Sequence, residues 1–471
     1  MRLLAQASIR QWSRSSGLVD AADPIKPWSV SLVAREALAG GLAAQGRQNP
    51  DAQVLPALDV YVHELEDPLL RRADNGAAGD GSVAGFMLRT GYQQFPYQQP
   101  IFGDTARMRP MLKRSFPRPR FQVLSDAVIE ELLGADVDAY TDLAPFFLAA
   151  VMVNGGTFNP TWLDQPNFVP VCEQTPKEQI LRVYSTRLSA PAAKLQAAAR
   201  APRHQQQDLR QHDFNPLIDR PFVVLPDGIG LAPQPLFVTG RFSLAALYYA
   251  GFAAYGKPFA DDLGILNEEY TLEQLAQLNA AGAVVTAEVE YEPGSASVDG
   301  FVVYPDQVIL VEVKSLRPAL DKRLDSDLYA ERLRRDLGKA QKQLRRTYDL
   351  WRNGHPAFAH LPDDGRPARA LIVVPEPLYL ANQTMFGQDL GRMPFPTAVV
   401  SFTQLELLVA VAVSERSGRV FADIATGSPY LIADPAAALM AARQRSGIRV
   451  HRNGILDASF EAMRWAQATT P

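Results

Sequence analysis

Asp299, Glu312 and Lys314 are the side chains of this 471-residue chain best spaced to do chemistry together. They bracket VDGFVVYPDQVILVEVKS (298–315), two apolar runs around Pro305-Asp306, a pair that reverses a strand. With Tyr304 opposite Gln307, the register pairs Val303 with Val308, Phe301 with Leu310 and Asp299 with Glu312. Lys314 follows Glu312 by two residues and shares its face, because strand side chains alternate. Two carboxylates opposed at roughly 5 Å between Cβ atoms repel each other. In a covered sheet they are costly unless something neutralises them. A divalent cation does so, and Mg²⁺ takes one or two carboxylates and fills its remaining sites with water. A lysine beside such an ion can orient an attacking water and stabilise charge on a phosphate. The chemistry in outline is metal-assisted hydrolysis of a phosphodiester. The other use of the same three residues is a strand end carrying solvated charge.

The hairpin must hold these groups still. Phe301, Val303, Val308 and Leu310 continue the face that ends in the charged residues, and Val302, Ile309, Val311 and Val313 fill the other. Both faces are apolar, which predicts a hairpin covered on both sides.

At these residues the chain resembles the PD-(D/E)xK nuclease superfamily. That pattern is an acidic residue at the start of one strand, then Glu-x-Lys on the next; here it is Asp299 and Glu312-Val313-Lys314, with Val298 where the pattern has proline. The resemblance covers residues 257–415 and implies an α/β fold, a restriction-endonuclease-like core. That core is a mixed central sheet flanked by helices in the order αβββαβ. It implies Mg²⁺, with Mn²⁺ able to substitute, held by Asp299, Glu312 and the Val313 carbonyl, with Lys314 positioning the water. It also implies an inward glutamate on the first core helix, for which Glu268 is the candidate, and a glutamine on the helix after the hairpin. Gln341 is the candidate there, with Gln343 nearby, although both lie further from Tyr348 than the four residues usual in that family. The substrate implied is nucleic acid, DNA before RNA, in repair, restriction or defence against phage.

Three elements must support the hairpin. DDLGILNEEYTLEQLAQLNAAG reads as a helix with Asn267 and Thr271 as rival caps. Glu268 aligns with Leu272 and Leu275 and points inward if the helix begins early; otherwise it is an exposed first-turn acid favoured by the helix dipole. Glu269 is expected to be exposed. VVTAEVEYEPGSAS gives the first strand, whose Glu288, Glu290 and Glu292 share a face that is either a solvated edge or, at Glu288, an approach to the metal. After the hairpin, Leu333, Leu337, Ala340, Leu344 and Trp351 form one helical stripe, capped by Asp325 or Ser326. Twelve basic and six acidic residues lie between Lys314 and Arg352, which suits a polyanion or, more simply, a salt-bridged exposed face. ARALIVVP and PTAVVSF read as strands, and Thr403 is expected to cap the helix that follows.

The rest of the chain divides into a mostly helical region (1–213), a connecting β/α segment (214–256) and a C-terminal extension (416–471) around the 257–415 core. Ser125 precedes an apolar-periodic helix, and a single helix is expected over 175–200. The run ARMRPMLKRSFPRPRF contains no acid, so Arg107, Arg109, Lys113, Arg114, Arg118 and Arg120 either grip a phosphate backbone or belong to a solvated, proline-kinked connector. His204, Asp208 and His212 would share a helical face and could hold a metal, in an otherwise linker-like segment. The PFVVL and GLAPQPLFV pieces read as strands.

Composition sets outer bounds. Apolar residues make up 47% and charged residues 21%, so a sizeable core is available. A net charge of −4 gives no global attraction for nucleic acid, so any polyanion site must be local. The single cysteine, Cys172, excludes an intrachain disulfide and a cysteine-cluster zinc site. No stretch has the length and apolarity of a membrane span, and no secretory signal is recognisable, so a cytoplasmic location is expected. No GxxxxGK[ST] loop is present, so ATP-driven motor chemistry is not expected of this chain. Two further classes stay open: an inactive nuclease scaffold that binds nucleic acid, and a subunit whose N-terminal region recruits a protein partner.

Overall fold

The computed structural model of the chain describes residues 1–14, 26–40, 57, 83–98, 102–201, 212–317, 326–379, 381–382, 393–424, 435–447 and 452–464. Two units are distinguished: Met1–Phe259 with Ser459–Pro471, and Ala260–Ala458. The stretch expected to connect domains, 214–256, lies within the first unit, and residues 416–458 lie within the second.

The first unit is largely helical. Its helices are α1 (Arg2–Arg14), α2 (Pro27–Gly40), α3 (Val83–Gln94), α4 (Gly103–Leu112), α5 (Asp126–Leu133), α6 (Val137–Val153), α7 (Val169–Gln174), α8 (Lys177–Val183), α9 (Ala192–Arg200), α10 (Pro235–Gly240) and α11 (Leu244–Tyr255). A small sheet of β1 (Thr157–Phe158), β2 (Ser189–Pro191), β3 (Phe222–Val224) and β4 (Gly230–Leu231) has the order β1-β4-β3-β2. Ser125 caps α5 as expected, accepting from the Val128 N–H, and Asp136 caps α6 in the same way through Ala139. The single helix expected over 175–200 is instead broken: a π-turn at Tyr184–Leu188 and strand β2 separate α8 from α9. The break lets Tyr184 turn into an aromatic core with Phe158 and Phe222. Of the two strands expected around Asp227-Gly228, the second is short, and Pro235 opens helix α10 with Gln234 as its cap.

The basic run is a piece of structure. Arg107 and Arg109 are buried in α4. Arg107 pairs with Asp104, Lys113 with Asp138, and Arg109 donates to Asp142 (2.8 Å) and Thr141 (2.8 Å). Arg107 and Arg109 are therefore spent inside the fold, whereas Lys113, Arg118 and Arg120 stay exposed. The acids that neutralise Arg109 and Lys113 lie on α6, which is why the run looked unopposed in sequence. Arg109→Met leaves the buried Asp142 with only the half-exposed Arg464 as a partner among the described residues. It is expected to lower stability by about 3 kcal/mol in urea denaturation.

In the second unit the expected order of elements is present. Helix α12 (Lys257–Ala276) leads into β5 (Val284–Ala287). The stretch expected as one strand with Glu288, Glu290 and Glu292 on a shared face is divided: β5 ends before Glu288, which lies in no strand. A separate small hairpin follows, β6 (Glu290–Glu292) with β7 (Ser295–Ala296), and then β8 (Gly300–Val303) and β9 (Val308–Val313). Helix α13 (Ser326–Arg352), β10 (Ala368–Val374), β11 (Thr397–Ser401) and α14 (Phe402–Glu415) complete the core. Three short helices follow: α15 (Arg419–Asp423), α16 (Pro435–Ser446) and α17 (Gly454–Glu461), the last crossing into the first unit. The sheet has the order β11-β10-β9-β8-β5, with β9, β10 and β11 parallel and β8 antiparallel to both neighbours. It is a mixed α/β sheet.

The expected stripe on α13 is its buried face: Leu333, Leu337, Ala340, Leu344 and Trp351 are all at most 2% exposed. Every residue of β9 is buried, so the hairpin is covered on both sides, as its apolar pattern requires. Helix α12 begins at Lys257, so neither Asn267 nor Thr271 caps it. Ser401, not Thr403, caps α14, because Gln404 at the third helical position returns a hydrogen bond to the Ser401 amide. Among the described residues no helix is long and apolar enough to cross a membrane. The Asp325 cap of α13, and His204 and Asp208, lie outside the described residues.

Candidate active site

The hairpin has the register read from its sequence. Val303 pairs with Val308 and Phe301 with Leu310, and the Tyr304 amide donates to the Gln307 carbonyl across the turn (2.9 Å). The open end therefore brings Asp299 opposite Glu312. Asp299 Oδ2 accepts the Val313 amide at 2.5 Å, so the first carboxylate is tied to the strand that carries the second. Lys314 Nζ pairs with Glu312 Oε1, and the Lys314 amide donates to Val373 (2.8 Å), extending the β9–β10 ladder by one residue. Asp299, Glu312, Lys314 and the Val313 peptide thus converge at one mouth.

Burial makes this mouth electrostatically tense. The Glu312 side chain is 0% exposed, and Lys314 retains 29%. Burial, then the charge of Asp299, pushes the Glu312 carboxyl up to about 8; Lys314 opposes this and Glu268 adds to it. Burial likewise raises Asp299, against the Val313 N–H and Lys314, with Glu288 pushing further upward. Glu312 Oε2 is buried and has no hydrogen-bond partner. A buried carboxylate oxygen without a partner is unusual in a folded protein.

Glu268 and Glu288 are close enough to act on the two carboxylates, although both are exposed. Glu269, expected to be exposed, is half-buried. The turn of α12 around Glu268 is pinned to the end of β9, where Asn267 Nδ2 donates to Ser315 Oγ (2.7 Å). One turn further on, a Cβ on Gly300 would lie 2.9 Å from Leu272 Cδ2, so glycine there lets α12 lie close to the sheet. Gln341 is buried on α13 and its Nε2 has no hydrogen-bond partner. No hydrogen bond joins it to the carboxylates.

Two residues of α13 hold Asp299 in place. Gln343 Nε2 donates to the Ser297 carbonyl (2.7 Å), and Thr347 Oγ1 accepts the Val298 amide (3.2 Å). They lie four apart, beside the leucine stripe, on the helix turns that pass the strand start. Their spacing was a legible signal; the strand segment they would meet was not. Thr347→Val orphans a buried N–H and is expected to cost about 1–2 kcal/mol in thermal unfolding. It also frees the segment carrying Asp299.

Among the described residues, no group of three or more His, Cys, Asp or Glu side chains is arranged to hold a metal ion. This disfavours a cation held wholly by side chains. It leaves a two-carboxylate set completed by water, the kind that suits Mg²⁺. Asp299, Glu312 and the partnerless Glu312 Oε2 fit that requirement. Compared with protein-family models, with curated proteins and with solved structures, the chain matches none.

Proposed function

We propose that the second unit is a Mg²⁺-dependent nuclease of the restriction-endonuclease-like kind, hydrolysing phosphodiester bonds of nucleic acid, DNA before RNA. The observation that carries this reading is the partnerless oxygen of Glu312, buried opposite Asp299 at the mouth of the hairpin beside Lys314. Asp299 and Glu312 would hold the ion, which when bound would polarise the phosphate and acidify water. Asp299 is oriented for this by the Val313 amide, and Thr347 and Gln343 fix the strand start beneath it. Lys314 places a positive charge beside the carboxylates, where it can orient the nucleophile and stabilise the charge that develops on the phosphate.

The outer face of α13 supplies the means of holding a polyanion. Arg335, Lys339, Lys342 and Arg346 are exposed at helical spacing, opposite the leucine stripe. Arg335 and Arg346 pair with Asp336 and Glu292, whereas Lys339 and Lys342 make no ion pair among the described residues. Incubation with single- and double-stranded DNA and RNA in Mg²⁺ or Mn²⁺ should give cleavage that EDTA abolishes. Intact substrate under all metal conditions would reject the enzyme.

A second reading draws on the Lys314–Glu312 ion pair, which offsets one of the two buried negative charges without a metal. On that reading the unit binds nucleic acid without cutting it, and a salt-sensitive affinity would persist in EDTA with no products formed.

A further inference from the structure

We propose that Arg187, Arg220 and Arg241 form a receptor for a phosphoryl group in the first unit. The strand register brings the first two together. Ser189 pairs with Phe222 in the parallel β2–β3 ladder, so Arg187 and Arg220 both stand two residues before a paired position, at the same end. Arg220 Nη1 donates to the Arg187 carbonyl (2.9 Å), which fixes their spacing. Arg241 follows α10, and its carbonyl accepts the hydroxyl of the buried Tyr140 (2.8 Å). Each of the three guanidinium groups lies within the electrostatic reach of Tyr140, and Arg187 and Arg220 each feel Arg241.

Among the described residues these three guanidinium groups share one carboxylate. Asp219, half-exposed, meets Arg241 Nη1 at 3.0 Å. The other bonds from these guanidinium groups among the described residues go to neutral carbonyls: Arg187 Nη2 to Glu131 (3.0 Å) and Arg220 Nη1 to Arg187 (2.9 Å). These bonds hold the groups without neutralising two of the charges. Arg241 is 8% exposed, and the Nε–H groups of both Arg187 and Arg241 are buried with no acceptor. Burying guanidinium charge and leaving its donors unmet is costly unless an anion completes the set. The surplus of two positive charges matches a phosphoryl group, close to a dianion at neutral pH, better than a carboxylate. The planar fork of arginine also suits phosphate oxygens.

The test uses the full chain in EDTA, titrated with inorganic phosphate against chloride at matched ionic strength, and read by calorimetry and thermal unfolding. Wild type should show saturable binding and a rise in melting temperature. Arg187→Gln and Arg220→Gln, both at half-buried positions, should each weaken binding about tenfold or more. Their unliganded melting temperatures report whether the fold survives. Lys314→Ala should keep the full phosphate response, which separates this site from the one proposed on the hairpin. Displacement of phosphate by a 5′-phosphorylated but not a 5′-hydroxyl oligonucleotide would assign the site to a nucleic-acid end. Displacement by neither would assign it to free phosphate or a small phosphoester. Absence of saturable binding in wild type, or an undiminished response in both folded arginine variants, overturns the proposal.

Discussion

Lys314→Ala is expected to lower Mg²⁺-dependent cleavage of nucleic acid by about 10²–10³-fold while leaving substrate affinity nearly unchanged. The side chain is partly exposed, so its loss leaves no large cavity, and its Nζ is poised against Glu312 at the mouth where phosphate would enter. The charge it supplies matters most when the phosphate becomes more negative, so the loss should appear in kcat rather than KM. Asp299→Ala and Glu312→Gln should lose at least as much, because each removes one of the two carboxylates able to hold the ion. The three groups act as a unit. Combining Lys314→Ala with Asp299→Ala should therefore cost little more than the worse single change. The face of α13 should behave oppositely: Lys339→Ala with Lys342→Ala should raise KM and flatten the salt dependence of binding. Single-turnover cleavage assays separate these outcomes. Rates unchanged in both Asp299→Ala and Lys314→Ala would remove the active site from the hairpin.

The site was legible where short-range rules apply and illegible where partners come from far along the chain. A period of two and one turn pair gave the hairpin register, and hence the opposition of Asp299 to Glu312. The α13 stripe followed from helical spacing alone. Glu268 was less certain because Asn267 and Thr271 are both plausible caps, and only the observed start at Lys257 rules both out. The cap of α14 is readable in the sequence, since Ser401 with Gln404 makes a capping box that Thr403 lacks. The roles of Thr347 and Gln343 depend on where α13 crosses Val298 and Ser297, almost fifty residues away, which no local rule supplies. Arg109 misled for the same reason. Its acid, Asp142, lies two helices further on, on α6, so a residue with no acid in its own run is neutralised from elsewhere in the unit.

The same electrostatic tension that suits Glu312 to a cation should make the metal-free protein lose stability as pH rises. In the unfolded chain this carboxyl ionises near its ordinary value of 4.5, whereas in the fold burial and Asp299 hold it up to about 8. Below the lower value both states keep the proton and the group contributes nothing. Between the two values the unfolded chain releases its proton and the native protein does not, so unfolding is increasingly favoured. Above the upper value both are ionised and the penalty is complete, on the order of 5 kcal/mol at most. Asp299, also raised, acts in the same direction. Glu312→Gln keeps the shape and removes the charge. In EDTA it should therefore flatten most of the fall between pH 5 and pH 8 and be the more stable protein at pH 8, by about 2–4 kcal/mol. Mg²⁺ should then stabilise wild type at pH 8, by about 2.7 kcal/mol when the ion is at a hundred times its dissociation constant, and do little for Glu312→Gln. Urea denaturation at a series of pH values, with and without the ion, measures all three effects. Parallel pH curves for the two proteins would mean that Glu312 is hydrated in the fold. In that case no cation is needed between the carboxylates.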